Sequence, residues 1–364
     1  MRAAVMRRGA LSEQELAEPS PQQGEVLVAT LACGICGSDL HLLEHTDQFI
    51  AATREAGGFQ GMEAGRDLVM GHEFCAEILD YGPADPGTTG RLPIGTRVCS
   101  VPTLIRDGQS SAVGFSHDVP GGYAERMVLT ESLLLPVPNG LATEHAALTE
   151  PMAVGWHAVA MARLSPVDVP LVIGCGPVGL AVIAALKHAG AGPVVAADFS
   201  PARRRLAETL GADIVIDPAV HSPYTSWEEA ARESRQGRLT EVNPLSGERL
   251  LPPGVFFECV GVPGVLDQMM AGASRGCRVV IVGVCMQQDV VRPLLAITKE
   301  LNLQFVLAYT ADEFATTLHH IAEGTLPVAP LITGRVDIAG VAAAFAELKN
   351  PEKHAKILVE PARP

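Results

Sequence analysis

"LVIGCGPVGLAVIAALKHAGA", residues 171–191, decides how the chain folds. It opens with an apolar run, passes through Gly174, Gly176 and Gly179 as G-x-G-x-x-G, and continues as an apolar, helix-like stretch. An ordinary tight turn would explain the glycines but not the strand before them and the helix after them. In a dinucleotide-binding loop the three glycines serve, in order, a tight turn, close backbone approach to a pyrophosphate, and close helix packing. The phosphate charge then sits at a helix N-terminus, where free N–H groups favour it. Pro177 and Val178 lie inside the motif and are assigned to the same cofactor site. Working outward, "PVVAAD" (193–198) reads as a strand, "SPARRRLAETLGA" (200–212) as a helix and "DIVID" (213–217) as a strand. "VFFECVG" (255–261) and "RVVIVGV" (278–284) resume the pattern, and place Val260 and Gly283 at strand ends as further cofactor contacts. Strands alternating with helices imply a parallel sheet and an α/β fold.

Asp198 ends the next strand, 19 residues after Gly179. A carboxylate there accepts hydrogen bonds from ribose hydroxyls and repels a 2′-phosphate, so NAD is expected rather than NADP. Arg203, Arg204 and Arg205 argue the other way if one of them reaches a phosphate; Arg203 is kept as a cofactor contact, with the solvated face of a helix as the plainer reading.

The 364 residues allow two cores, and 48% hydrophobic residues fit a globular chain. With 27 basic against 41 acidic side chains the formal net charge is −14, which makes nucleic acid and anionic membranes poor partners. Polar residues follow Arg2, Arg7 and Arg8, so no secretory signal is read. The longest apolar run, 171–186, is short for a membrane span and broken by glycine and proline. The eight cysteines are scattered apart from Cys33 and Cys36, as in a reduced, cytoplasmic protein.

Up to about residue 150 the chain reads as short strands: "GEVLVATLACG" (24–34), "EFCAEILDYG" (73–82), "GTRVCSV" (95–101) and "GGYAERMVL" (121–129). Residues 1–152 are therefore taken as a mainly β domain, 153–309 as the nucleotide domain, and 310–364 as a return to the first. Residues 218–253, polar with five prolines, read as a surface insertion. Within the β-rich part, "CGICGSDLH" (33–41) raises the question of metal or redox chemistry. A redox Cys-x-x-Cys belongs in a thioredoxin-like βαβ unit, and a structural zinc finger needs a second close ligand pair. Neither setting is present. His72 and Glu73 in "GHEFCAE" and Glu150 in "LTEPMAVGWH" supply an imidazole and carboxylates instead. One thiolate, one imidazole and carboxylates spread along a chain suit a catalytic zinc with an open position.

"GICGSDLH", "GHE", "GGYAE", "EPMAV" and "GCGPVGL" occur in the order seen in zinc-dependent medium-chain alcohol dehydrogenases, and the chain resembles that family over essentially its whole length. Glu150 resembles the polyol, threonine and butanediol dehydrogenase branches. The resemblance implies a Rossmann dinucleotide-binding domain plus a GroES-like, mainly β catalytic domain. It implies Cys36 and His72 as zinc ligands, Glu73 and Glu150 as carboxylates beside the metal, Asp39 as the carboxylate that orients the histidine, and Ser38 and His41 as a proton relay. Cys33 is expected to be a small buried residue. Zinc, a thiolate and one carboxylate sum to zero charge and a second carboxylate to an excess of one negative charge, so a single glutamate is expected to ligate while substrate is bound. Relatives with a second, structural zinc carry four close cysteines after the segment matching "GTRVCSVP"; residues 100–174 here contain none, so one zinc per chain is expected.

The function expected is hydride transfer between a secondary alcohol, diol or polyol, or the matching ketone or aldehyde, and NAD(H), in a cleft between domains. The partner is a small molecule, the quaternary state a homodimer or homotetramer, and the stretch from Leu42 to Met70 a border of the cleft. A zinc-free quinone or enoyl reductase of the same superfamily leaves Cys36, His72 and Glu150 unexplained. A non-enzymatic nucleotide sensor leaves the proton relay unexplained. A structural zinc or redox protein built on Cys33 and Cys36 would lose its metal or activity in Cys33→Ser.

Overall fold

The computed structural model describes residues 1–55, 62–84, 89–234, 251 and 253–362. The chain divides into two compact units, Met1–Pro151 with Phe314–Pro364, and Met152–Glu313.

In the first unit, strand Glu25–Gly34 is the hub of a seven-stranded sheet among the described residues. Its Val26, Val28 and Ala32 are buried, and β-branched residues at alternate positions suit a strand with one face on a core. It pairs antiparallel with Glu73–Tyr81, Arg126–Thr130 and Lys356–Val359, which brings four distant segments together. The stretch read as one strand from Gly121 becomes a strand only at Arg126. Gly121 and Gly122 instead bond backbone to backbone with Val69 and Gly71. The cysteine-free stretch after Val101 contains the hairpin Thr103–Arg106 and Gln109–Ala112, joined at Asp107–Gly108. The helix Thr46–Glu55 occupies part of the long stretch after Leu42, of which residues 56–61 lie outside the described residues.

In the second unit, six parallel strands stand in the spatial order Ile214–Ile216, Val195–Ala197, Pro170–Ile173, Val255–Glu258, Arg278–Ile281, Asn302–Phe305. Numbered along the chain this is 3-2-1-4-5-6, the doubly wound arrangement whose order reverses between Pro170–Ile173 and Val255–Glu258. Strand burial explains why these segments are uniformly apolar: Leu171, Val172, Val195, Phe256, Phe257, Val279 and Val280 are all fully buried.

The reading of 218–253 as a surface insertion needs correction over its first half. Residues Pro223–Ser234 form a helix that buries Trp227, Ala230 and Ala231. Trp227 belongs to the core with Val169, Leu171, Phe256 and Met269, and its indole N–H donates to the Val169 carbonyl at 2.8 Å. Polar composition misled because a helix needs only one apolar stripe to dock. Residues 235–250 and Pro252 of that stretch lie outside the described residues. Trp227→Ala is expected to lower unfolding stability by about 3–5 kcal/mol, the usual cost of deleting a buried aromatic; a loss below about 1 kcal/mol in urea unfolding would return this helix to the surface.

Candidate active site

In the second unit the residues expected to bind a cofactor gather near the carboxyl ends of neighbouring strands. Gly174 follows strand Pro170–Ile173, and Gly176 is the N-cap of helix Pro177–His188, with Pro177 in its first turn and Val178 next. Gly179 packs so closely that a Cβ there would come within 1.9 Å of the Gly174 carbonyl oxygen. Asp198 accepts the Cys175 N–H at one carboxylate oxygen and the Ser200 N–H at the other, both at 2.8 Å. This ties the end of Val195–Ala197 to the glycine loop. Arg204 is occupied by Asp217 at 3.0 Å and by the carbonyls of Asp198 and Phe199. Arg203 lies nearer the loop, with Nη1 4.0 Å from Asp198 Oδ2, and its buried Nε has no hydrogen-bond partner among the described residues. It is therefore more than part of a solvated helix face. Sequence reasoning missed Glu258. Its Oε1 accepts the N–H groups of Val260 and Gly261 at 2.7 and 2.9 Å, and its carbonyl oxygen accepts the Gly283 N–H at 2.9 Å. One residue thus fixes the strand ends that carry Val260 and Gly283; burial pushes its carboxyl above the usual range, against the pull of those two N–H donors.

In the first unit, Cys36 is the N-cap of helix Gly37–Glu44, which also carries Ser38, Asp39 and His41. A helix N-terminus favours negative charge, as a metal-ligating thiolate requires. His72 and Glu73 arrive on the neighbouring strand Glu73–Tyr81 and the residue before it. Ligand atoms of Cys36, His72 and Glu73 all lie within 4.8 Å of one another. Ligands 2.0–2.3 Å from a tetrahedral ion stand roughly 3.5 Å apart, so a small contraction closes this set around zinc. Asp39 Oδ1 is 3.5 Å from His72 Nδ1, and both atoms are buried without a hydrogen-bond partner among the described residues. With Nδ1 facing Asp39, Nε2 is the nitrogen that can serve as a ligand. Burial opposes a charged His72, but Asp39 and Cys36 outweigh it and hold the ring's pKa well above its usual value; a metal ion is the natural replacement for that proton.

Other assignments separate cleanly. Cys33 is fully buried and is not among the residues whose ligand atoms gather with Cys36. Ser38 is half-buried, and the ring of His41 stacks on His45 at 6.4 Å. Phe115, from the segment after the hairpin, places its ring centroid 5.0 Å from that of His72 and 6.0 Å from Phe49. This apolar wall was not visible in sequence.

Lys356 was also missed, although a lysine inside "AKILVEP" interrupts an otherwise apolar strand. It is 1% exposed, and its Nζ donates to both oxygens of Glu73 at 2.6 and 2.7 Å and to the Ile35 carbonyl at 3.0 Å. Burial disfavours the ammonium, but Glu73 and Cys36 outweigh it and raise its pKa. Gly34 clears the path, because a Cβ there would meet Glu73 Oε2 at 2.0 Å. Glu150, in the first turn of helix Thr149–Met161 and 8% exposed, stands outside the three-residue set but adds to the field on Lys356. The charge count therefore changes. With a buried ammonium beside them, zinc, one thiolate and two carboxylates sum to zero, and the electrostatic objection to a second glutamate near the metal disappears. Lys356→Met should cost the metal-free protein about 3–5 kcal/mol by leaving a buried carboxylate uncompensated, and Lys356→Met with Glu73→Gln should recover most of it. Urea unfolding of both variants checks this, and equal stability of the single variant and the native chain would refute it.

Comparison with known proteins agrees with this geometry. Residues 22–139 match the alcohol dehydrogenase GroES-like domain, and residues 177–323 match the zinc-binding dehydrogenase family. The chain is 30% identical to (R,R)-butanediol dehydrogenase of Bacillus subtilis, over 96% of each chain. It is 27% identical to sorbitol dehydrogenase of the same organism, over 93% of this chain and 90% of the relative. The crystal structure of the Bacillus subtilis 2R,3R-butanediol dehydrogenase superposes with a TM-score of 0.77 at 28% identity, covering 99% of both chains. Full-length similarity at this level, over both domains, means that the chain belongs to the zinc-dependent medium-chain alcohol dehydrogenase family and is an oxidoreductase acting on CH–OH groups of small molecules with zinc and a nicotinamide cofactor.

Proposed function

We propose that the chain oxidises a vicinal diol with NAD, and reduces the matching hydroxyketone with NADH, using one zinc ion per chain. The observation that carries this reading is the Cys36–His72–Glu73 cluster, half-buried at Cys36 and buried at the other two, with Asp39 behind its histidine. Similarity to butanediol dehydrogenase along the whole chain favours a diol over a simple secondary alcohol or a longer polyol. Cys36, His72 and Glu73 would hold the zinc, with Glu150 close enough in charge to tune it. When bound, zinc supplies Lewis-acid polarisation of the substrate oxygen. Ser38, two residues beyond Cys36 on the same helix, takes the hydroxyl proton, and His41 passes it to solvent. Burial, then the neighbouring His45, lowers the pKa of His41 against the opposite pull of Glu44, so the ring is neutral and able to accept a proton at neutral pH. Phe115 and Phe49 give the His72 side an apolar wall that excludes water.

Gly174, Gly176, Pro177, Val178 and Gly179 at the helix N-terminus would hold the cofactor, with Val260 and Gly283 on the adjacent strand ends. Asp198 would accept the ribose hydroxyls and set the preference for NAD, and Arg203, 4.0 Å from Asp198, would reach toward the phosphates. A homodimer or homotetramer in the reducing cytoplasm is the state we propose, in keeping with eight free thiols. No helix among the described residues is long and apolar enough to cross a membrane.

Metal analysis of the purified protein should find about one zinc per chain, and Cys36→Ala should lose both zinc and diol oxidation while remaining folded. About two tightly held ions per chain would reveal a structural site and overturn the one-zinc reading. Asp198→Ala should narrow the NAD-over-NADP preference by roughly tenfold, equivalent to about 1.4 kcal/mol of lost repulsion; a native enzyme that prefers NADP would contradict the role given to Asp198.

A further inference from the structure

Tyr123 is fully buried yet ends in a hydroxyl. That hydroxyl donates to Asp39 Oδ2 at 2.6 Å, with the Gly34 carbonyl a weaker alternative at 3.3 Å. The same Oδ2 accepts the backbone N–H of Cys36 at 3.1 Å, while Oδ1 faces His72 Nδ1. A single carboxylate therefore touches the backbone of one metal-ligand candidate and the ring of the other, and Tyr123 grips it from behind.

Tyr123 is itself fixed on several sides. Its backbone N–H donates to the Met70 carbonyl at 3.0 Å, and its backbone carbonyl accepts the Ala4 N–H at 2.8 Å. The preceding Gly122 donates to the Gly71 carbonyl at 2.8 Å. The ring meets Phe345 edge-on at 6.1 Å. It lies directly on Gly71, the residue before His72, where a Cβ would come within 2.7 Å of Tyr123 Cδ1. One side chain thus braces the backbone leading into His72 and the carboxylate that orients its ring.

We propose that Tyr123 is a positioning residue for the metal site, acting through Asp39. The torsion that turns an aspartate carboxylate is soft, so the group needs external contacts to hold its plane. Two donors on Oδ2, a backbone N–H and the Tyr123 hydroxyl, reserve Oδ1 for His72 and set the direction of the other ring nitrogen. Loss of the hydroxyl leaves a buried charged oxygen with one donor fewer and a carboxylate that can turn away from His72. Outer partners of metal ligands typically contribute ten- to a hundredfold in metal affinity. The proposal rests on the reading that Cys36 and His72 hold zinc.

The test uses the zinc-loaded full chain and Y123F, which keeps the ring and removes only the hydroxyl. Zinc release to a chelator should accelerate by roughly ten- to a hundredfold, and the visible bands of the cobalt(II)-substituted protein should shift. In a D39N background the added Y123F change should leave the release rate unaltered, because the residue through which Tyr123 acts is already disabled. Native release rate and native cobalt spectrum in Y123F overturn the proposal. So does an equal acceleration by Y123F with and without Asp39, which would mark a merely structural ring. If Y123F alone does not fold, D39N and D39N/Y123F must release zinc at the same rate, and a faster double variant overturns the proposal. A native chain that holds no zinc removes the metal reading along with this one, whereas zinc-loaded native protein with an unaffected Y123F removes this one alone.

Discussion

A lysine ammonium buried against a glutamate, 283 residues apart in sequence, is the constraint around which the unit with the candidate metal site is organised. Neither charge survives burial alone, and together they hold only if the geometry is good and the remaining donors are used. Here both Glu73 oxygens are taken, the third Lys356 donor goes to the Ile35 carbonyl, and Gly34 supplies the space between. Strand Lys356–Val359 must therefore lie beside Glu25–Gly34, with Leu358 opposite Gly34, while Glu73 pairs with Gly34 from the other side. That register brings Cys36 just past the end of the hub strand and His72 just before its neighbour. The ligand cluster follows from how the sheet is closed.

The two units build their sites from one device, side chains and free N–H groups collected at strand ends and helix N-termini, but they satisfy it differently. The glycine loop is local: Gly174 to Gly179 and Asp198 lie within one strand-helix-strand unit, and backbone N–H groups do most of the holding. The metal cluster is non-local and made of charges. Cys36, His72 and Glu73 bring their ligand atoms together, Asp39 faces His72, and Lys356 meets Glu73 with Glu150 adding to the field on it. For zinc, the Cys36 thiolate, Glu73 and Glu150 alone the sum is one negative charge in excess, and Lys356 cancels it. Phe115 and Tyr123 complete the surroundings, one as an apolar wall against His72 and the other as a brace behind Asp39.

The elements legible in sequence are those whose physics is local. G-x-G-x-x-G between an apolar strand and an apolar helix, and Asp198 at the next strand end, are statements about neighbours, and the structure has that strand, that helix and that strand end where the pattern put them; the helix Gly37–Glu44 that Cys36 caps was not read from the sequence. The sequence by itself determined the doubly wound nucleotide unit, the β-rich partner and the residue types at the site, because hydrophobic period, glycine spacing and helix capping act over a few residues. Only the tertiary structure decided that Pro223–Ser234 docks through Trp227 despite its polar setting, that Lys356 neutralises Glu73, that Phe115 faces His72 and that Tyr123 grips Asp39. Each of these depends on burial against a segment tens to hundreds of residues away. Whether a charge is buried, and what meets it there, is a property of the closed sheet that no local pattern encodes.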